Sequence, residues 1–352
     1  MNGDHDRASG SLASASDATT PRYALADDLL SDVLEKVRLR GALFFLWQPF
    51  WPFAIGVPRD RAFGQVILPD AERILSYHIV TQGPCWGSVM GEPSIRLESG
   101  DIFLVPHGDA YVIASEPRQP SPADEAPALE FFRQMAAGEL PPLVIEGGTG
   151  PEHNRLICGF LGCDVRPSNP LLSALPRLIH VPALAPGSQD PLSHLIDFAL
   201  VESQEGRDGS RCVLLRLSEL MFVEVIRRYL AAAPQLRSGW LGGLRDPLVG
   251  RALTLLHRRP AFPWTLARLA REAGASRSTL AERFTRLVGE PPMQYHTRWR
   301  IQIAAHRLAT GGSKVYGVAQ EVGYHSEAAF SRAFKRVVGM SPAQWRQHRA
   351  SA

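Results

Sequence analysis

The side chains best suited to do chemistry in this 352-residue chain occur twice, fifty positions apart. Ser276-Arg-Ser-Thr-Leu-Ala-Glu-Arg-Phe-Thr-Arg-Leu-Val-Gly-Glu-Pro-Pro292 is matched by Ser326-Glu-Ala-Ala-Phe-Ser-Arg-Ala-Phe-Lys-Arg-Val-Val-Gly-Met-Ser-Pro342. Ser276/Ser326, Phe284/Phe334, Arg286/Arg336, Val288/Val338, Gly289/Gly339 and Pro292/Pro342 are identical, and Leu280/Phe330 is an apolar match. A serine before an amphipathic run suits a helix N-cap, and a glycine after it suits a helix end. Leu280, Phe284 and Val288 fall four apart on one stripe, as do Phe330, Phe334 and Val338, so the opposite face of each run is polar. Such a face can bond base edges and neutralise phosphates. Arg298, Arg300, Arg307, Arg336, Arg346 and Arg349, with Lys314 and Lys335, are candidates for phosphate contacts, which give affinity and salt sensitivity rather than sequence choice.

The similarity extends upstream. Leu266, Leu269, Ala270, Ala273 and Gly274 correspond to Val315, Val318, Ala319, Val322 and Gly323 at an offset of 49, and one inserted residue in the turn explains the shift. Each copy therefore reads as a first helix (265–273 or 314–322), a tight bend at glycine, a serine cap and a second helix, which is a helix-turn-helix. In that motif the second helix enters the major groove with its early residues at base edges. Pro292 to Leu308 reads as one long helix with Tyr295, Trp299 and Ile303 on its buried side. It would hold two second helices at the spacing of successive major-groove faces, about 34 Å. Charge agrees: from Arg245 onward 18 Lys or Arg face 6 Asp or Glu, a net of +12, while the rest of the chain carries −9. A basic third on an acidic body suits a polyanion such as double-stranded DNA.

The acidic body reads differently. Residues 1–22 are small and polar, as in a disordered tail. Residues 25–40 carry a helical stripe of Leu29, Leu30, Val33, Leu34 and Val37. From 41 to about 185, short apolar runs between Gly and Pro turns read as an all-β sandwich or barrel, with Glu116–Pro127 a long loop. Pro191–Ser203 and Ser210–Ala232 then form a helical hairpin, whose second helix is apolar on more than one side. That suits either a second subunit or complete burial in one monomer. Residues 237–247 are a glycine-containing linker. The fold class is thus α+β: a β-sandwich or barrel with a helical hairpin, then an all-α double helix-turn-helix domain over 248–352. Four cysteines are too few for a disulfide scaffold and point to a reducing, cytoplasmic compartment. No apolar run reaches the ~18 residues of a membrane span, and no signal peptide is evident.

Residues 245–346 resemble the DNA-binding domain of AraC/XylS-family transcriptional regulators. The stretch Ala319-Gln-Glu-Val-Gly-Tyr-His-Ser-Glu-Ala-Ala-Phe-Ser-Arg-Ala-Phe-Lys-Arg-Val-Val-Gly-Met-Ser-Pro-Ala-Gln-Trp-Arg346 is similar to that family's signature, and Trp264 through Tyr295 fits as a first copy. The resemblance places Arg277, Ser278, Ala281 and Glu282 at base edges in the first unit, and Glu327, Ala328, Ser331 and Arg332 in the second, with Lys335 and Arg336 beside them. Arg332 can bond a guanine bidentately; Glu282 either accepts from a cytosine amine or pairs with a neighbouring arginine. Upstream, Gly100-Asp-Ile-Phe-Leu-Val-Pro106-His-Gly108-Asp-Ala-Tyr111 has the spacing of the second cupin motif, with Tyr111 where that motif has a histidine ligand. The resemblance to the cupin-sensor branch of the family covers 23–187 as an effector-sensing barrel and 188–236 as dimerisation and coupling helices. It implies a homodimer, a small-molecule or redox signal, contact with RNA polymerase, and activation rather than repression. His78, Trp86, His107 and Tyr111 are the candidate effector-binding residues, and Cys85 the candidate redox thiol, against burial as a small apolar residue. His78 and His107 alone do not make the three ligands a metal needs, so no cofactor and no catalysis are expected. The alternatives are a metal-dependent cupin enzyme with an accessory DNA-binding domain, and a non-specific architectural DNA binder.

Overall fold

The computed structural model describes residues 28–35, 39–69, 71–121, 125–150, 152–164, 167, 169–185, 190–205, 207–232, 239–310 and 314–350. The tail expected over 1–22 lies outside the described residues. The first half runs α1 (Leu29–Glu35), β1 (Leu39–Phe50), β2 (Ala54–Val57), α2 (Asp60–Ile67), β3 (Arg73–Gln82), β4 (Cys85–Val89), β5 (Ile95–Leu97), β6 (Ile102–Val105), β7 (Tyr111–Ala114), α3 (Glu125–Ala137), β8 (Leu143–Gly147), β9 (Arg155–Cys163), α4 (Pro170–Ala174) and β10 (Ile179–Val181). A six-stranded sheet has the order β10-β6-β3-β9-β1-β8, and a four-stranded sheet has the order β2-β7-β4-β5. The turn Pro106-His107-Gly108 carries the chain from one sheet to the other, with Gly108 at φ 67.

The larger sheet is covered on both sides, which is why its strands are apolar at consecutive positions rather than at alternate ones. Phe45, Trp47, Ile74, Val80, Phe103 and Phe160 face the smaller sheet, α2 and α3. Phe44, Leu46, Leu75, Tyr77, Ile79 and Leu161 face the helical hairpin, α5 (Pro191–Glu205) and α6 (Ser210–Ala232). Tyr77 crosses that seam, its hydroxyl donating to the Ser218 carbonyl at 3.1 Å. Gly159, opposite Tyr77 in register, leaves the ring its room: a Cβ there would stand 2.2 Å from it.

Three expectations for the sheet-containing half change. The span read as all β contains α2 and α3, whose apolar residues (Phe63 and Ile67; Ala128, Phe132 and Met135) recur at helical spacing over stretches too short to stand out. The Pro-rich loop over 116–127 therefore ends early, because α3 starts at Glu125. Of the helix expected over 25–40, the described residues show Leu29–Glu35, and it does not reach 40, since from Leu39 the chain pairs as β1 with β9.

The glycine-containing segment expected as linker over 237–247 is largely helical: α7 spans Gly239–Arg245. Trp240 and Leu241 are buried, and α7 packs on α4 of the sheet-containing half as well as on helices of the basic half. Those helices are α8 (Pro247–Arg258), α9 (Leu266–Ala273), α10 (Arg277–Val288), α11 (Pro292–Thr310), α12 (Val315–Glu321), α13 (Glu327–Val338) and α14 (Pro342–Ala350). Among the described residues, no helix is long and apolar enough to cross a membrane.

The bend of each helix-turn-helix is a left-handed glycine, Gly274 at φ 84 and Gly323 at φ 83, and each second helix ends on another, Gly289 at φ 87 and Gly339 at φ 90. The positions differ in surroundings. A Cβ on Gly289 meets nothing within 4 Å, whereas one on Gly323 lies 2.4 Å from the Ala261 carbonyl oxygen. Gly289→Ala should therefore cost only the left-handed penalty, about 1–2 kcal/mol. Gly323→Ala should cost clearly more, because backbone must also shift. Urea unfolding of both variants checks this; equal midpoints would show that the Ala261 contact does not constrain the bend.

Candidate nucleic-acid interface

The two units are built by the same local bonds. After the first helices, Ala275 N donates to Ala270 O at 2.9 Å, and Tyr324 N to Ala319 O at 2.8 Å. The side chain of Ser276 accepts from Thr279 N at 3.2 Å, and that of Ser326 from Ala329 N at 3.3 Å. These bonds satisfy backbone groups that a helix end otherwise leaves open. Leu280, Phe284 and Leu287 bury one face of α10, with Val288 half-buried; Phe330, Phe334 and Val338 bury one face of α13. Both helices are held from behind, α10 by α7, α8, α9 and α11, and α13 by α11, α12 and α14.

The other faces are open. Arg277, Ser278 and Glu282 are exposed and Ala281 is half-buried; Glu327, Ala328, Arg332, Lys335 and Arg336 are exposed and Ser331 is half-buried. A groove of about 560 Å³ lined by Gln294, Thr297, Arg298 and Arg336 lies between the start of α11 and α13.

The proposed phosphate contacts divide. Arg298 pairs with Glu290, and Arg307 with Glu321. Arg300 is half-buried, donates to the Val322 carbonyl and stacks 4.0 Å from the Tyr324 ring centroid. Burial lowers its guanidinium pKa from the ordinary arginine range. These three arginines brace the helices. Lys314, Lys335 and Arg336 are exposed and Arg346 is half-buried; the Arg349 side chain lies outside the described residues.

One bracing pair was not anticipated from the sequence. Arg283 on α10 reaches Asp246 with Nε at 2.7 Å and Nη2 at 2.6 Å, while Asp246 also accepts from Leu248 N and Val249 N at 3.0 Å each. Burial pushes this carboxyl up, but the amide bonds and Arg283 outweigh it and hold it below the usual carboxylate range. Asp followed by Pro at a helix start is a readable N-cap signal; its arginine partner is 37 residues away and is not.

The expected effector residues separate. His78 and Tyr111 meet, with Nε2 2.6 Å from the hydroxyl, and His78 Nδ1 lies 3.1 Å from Cys158 Sγ. Cys158 stands opposite His78 in the β3–β9 register, so this partner follows from strand pairing. All three are buried, walled by Phe103 and Phe160, and do not form an open mouth. Burial pushes the His78 pKa down to about 3, so the ring is neutral, and raises Tyr111 and Cys158 well above their ordinary ranges. His107 is elsewhere, its Nε2 donating to the Leu175 carbonyl at 2.8 Å, and Trp86 is half-buried on β4. Cys85 is fully buried with its thiol pushed up to about 12, first by burial and then by Asp101 and Glu98. That is the reverse of an activated thiolate. Cys212 is the exposed cysteine. Among the described residues, no group of three or more His, Cys, Asp or Glu could hold a metal ion.

Comparison with known proteins agrees with the two-part architecture. A cupin family model matches residues 28–231, and a helix-turn-helix domain model matches 269–348. A putative AraC-like transcription regulator from Streptomyces lividans is 38% identical over 79% of this chain and 88% of its own length. The HTH-type transcriptional regulator AlkR from Acinetobacter baylyi is 31% identical over 91% of this chain and 99% of its own. The crystal structure of the AdpA DNA-binding domain in complex with a target DNA is 33% identical, covering 30% of this chain and 96% of that one, with a TM-score of 0.28. With a cupin domain before two helix-turn-helix units, and near-full-length relatives that are regulators, the chain belongs to the AraC-like family of transcriptional regulators.

Proposed function

We propose that the protein binds double-stranded DNA sequence-specifically and regulates transcription, with α10 and α13 in successive major-groove faces. The observation that carries this is the pair of matched helix-turn-helix units, each with an open polar face and a sealed apolar one, joined by the single helix α11. Arg277, Ser278, Ala281 and Glu282 meet base edges in one half-site, and Glu327, Ala328, Ser331 and Arg332 in the other. Lys335 and Arg336 lie against phosphate. The barrel and hairpin carry the signal: an effector or redox change shifts the population between conformations of different DNA affinity. Activation through RNA polymerase, a cytoplasmic location and the absence of catalysis complete the reading. The enzyme alternative draws no support from the comparisons, whose full-length relatives are regulators.

A homodimer forms through the hairpin. Phe198 and Val201 on α5 and Leu220 on α6 are large apolar side chains 47%, 48% and 54% exposed. A second copy of the chain would remove them from water. Phe198→Asp and Leu220→Asp should each shift sedimentation equilibrium towards monomer while leaving the unfolding midpoint of the monomer unchanged. If both variants assemble as the parent does, the hairpin is not the interface.

Genome-wide mapping of bound sites tests the regulator reading and supplies an operator. On that operator, Arg332→Ala should cost about 1–3 kcal/mol and relax preference at one base pair. Lys335→Ala should weaken binding to all duplexes alike and lower the salt slope by about one. Electrophoretic shifts at several salt concentrations separate the two. Equal affinity for operator and random duplex would instead mark an architectural binder.

A further inference from the structure

Two of the expected effector residues, His78 and Tyr111, sit in packed interior, yet the sensor half does contain a concave site. A cleft of about 510 Å³ lies where the helix-facing side of the larger sheet meets α5 and α6, within the usual size of small-molecule sites. Its charged wall is Arg228, on α6. That side chain is 7% exposed, and the polar bonds it makes are at the outer limit: Nη1 to Asp190 Oδ2 at 3.5 Å and Nη2 to the Pro182 carbonyl at 3.4 Å. Its Nε is buried with no hydrogen-bond partner among the described residues. A guanidinium presents five donors in a planar fork that matches a carboxylate, and burying one with donors unmade is costly. Such a group is kept in a concave site at a cost to the fold unless something anionic completes its bonds.

The rest of the cleft says what kind of anion. Arg155, from the start of β9, lines the sheet side and is anchored by Gln48 Oε1 at 3.0 and 3.3 Å. Asp190 and Asp197 balance the two arginines, so a second negative charge on a ligand would meet carboxylates. Ile79, Leu184, Ile196 and Leu200 supply apolar surface.

We infer that this cleft is a binding site for a small organic monocarboxylate with an apolar body, its carboxylate on the Arg228 fork and its body against Ile196 and Leu200. The ligand bridges the sheet and both hairpin helices. The site itself stands on the cleft geometry; its role as effector site rests on the regulator reading above.

Calorimetric titration of the full-length protein with hexanoate, hexanamide and succinate tests the site. Hexanoate should bind at least tenfold more tightly than either the neutral amide or the dicarboxylate. Arg228→Gln should weaken hexanoate at least tenfold and leave hexanamide unchanged. Because a buried substitution can disturb folding, Leu184→Trp provides a second variant: Leu184 is 44% exposed, and a bulky ring there fills the cleft from its rim and should abolish binding. No heat with hexanoate at 10 mM, equal binding of hexanoate and hexanamide, or unaltered hexanoate binding by the Leu184→Trp protein would overturn the assignment. Operator binding is assayed without hexanoate, so its failure would fall on the regulator reading and leave the titration result standing.

Discussion

The hydroxyl of Tyr295 is the point at which the segments around the basic domain are tied together. Trp240 Nε1 on α7 donates to it at 2.8 Å, and His257 Nε2 on α8 lies 2.7 Å away. The hydroxyl has one proton, and with the indole N–H already on its oxygen that proton is free to go to the imidazole. His257 suits the acceptor role, because burial pushes its pKa down to about 3 and the ring is neutral. Its proton then sits on Nδ1, which has no hydrogen-bond partner among the described residues and faces Asp32 Oδ2 on α1 at 3.8 Å. The ring stacks on Trp299 with centroids 4.0 Å apart. One buried polar chain thus joins α11, α7 and α8 and stops just short of the sheet-containing half. Trp240 Nε1, the Tyr295 hydroxyl and His257 Nε2 are satisfied only while the others stay in place, so α7 and α11 cannot move independently without leaving a polar group orphaned.

That constraint gives the architecture its directionality. A single apolar cluster runs from the helix-facing side of the larger sheet through α6 and α7 to Leu280, Phe284 and Phe334 behind the two second helices. Packed interiors of this kind shift between discrete arrangements more readily than they deform. Movement of the hairpin relative to the sheet therefore has a physical route to the spacing of α10 and α13. The brace Asp246–Arg283 fixes α10 against the start of α8 and closes that route at its far end.

The helix-turn-helix units were legible because the chemistry that ends their helices is local. Serine caps, left-handed glycines and apolar residues four apart lie within one turn of the features they determine, and the expected first helix over 265–273 differs from α9 by one residue. The repeat doubled the signal. The same reading failed where partners are remote. The apolar positions of α2 and α3 have helical spacing, but over stretches too short to stand out without Phe45 and Phe160 of the larger sheet to receive them. The glycines around Trp240 read as a linker, while the burial of Trp240 and its bond to Tyr295, 55 residues on, go with a helix. His78 and Tyr111 both read as effector candidates, but their pairing depends on how two sheets stack. Cys158 joins them only through strand register. Arg228, in a helix of mostly apolar residues, carries no sequence signal, since nothing local says that its donors go unmade.

The contents of the barrel bear on where a signal can enter. Phe45, Phe103 and Phe160 fill the space between the two sheets, and the polar atoms there, on His78, Tyr111 and Cys158, already bond one another. A ligand entering this interior would have to displace aromatic side chains from dense packing and break a bond to a neutral imidazole, leaving buried polar groups unpaired. Entry at the seam with the hairpin meets neither obstacle, because the cleft there is already open and one of its donors has no partner. The seam is also where Tyr77 couples the sheet to Ser218 on α6, so a change at its edge acts on contacts that already join strand to helix. With the ligand at the seam, as inferred above, the barrel would serve as a rigid wall and the signal would act on the helices packed against it.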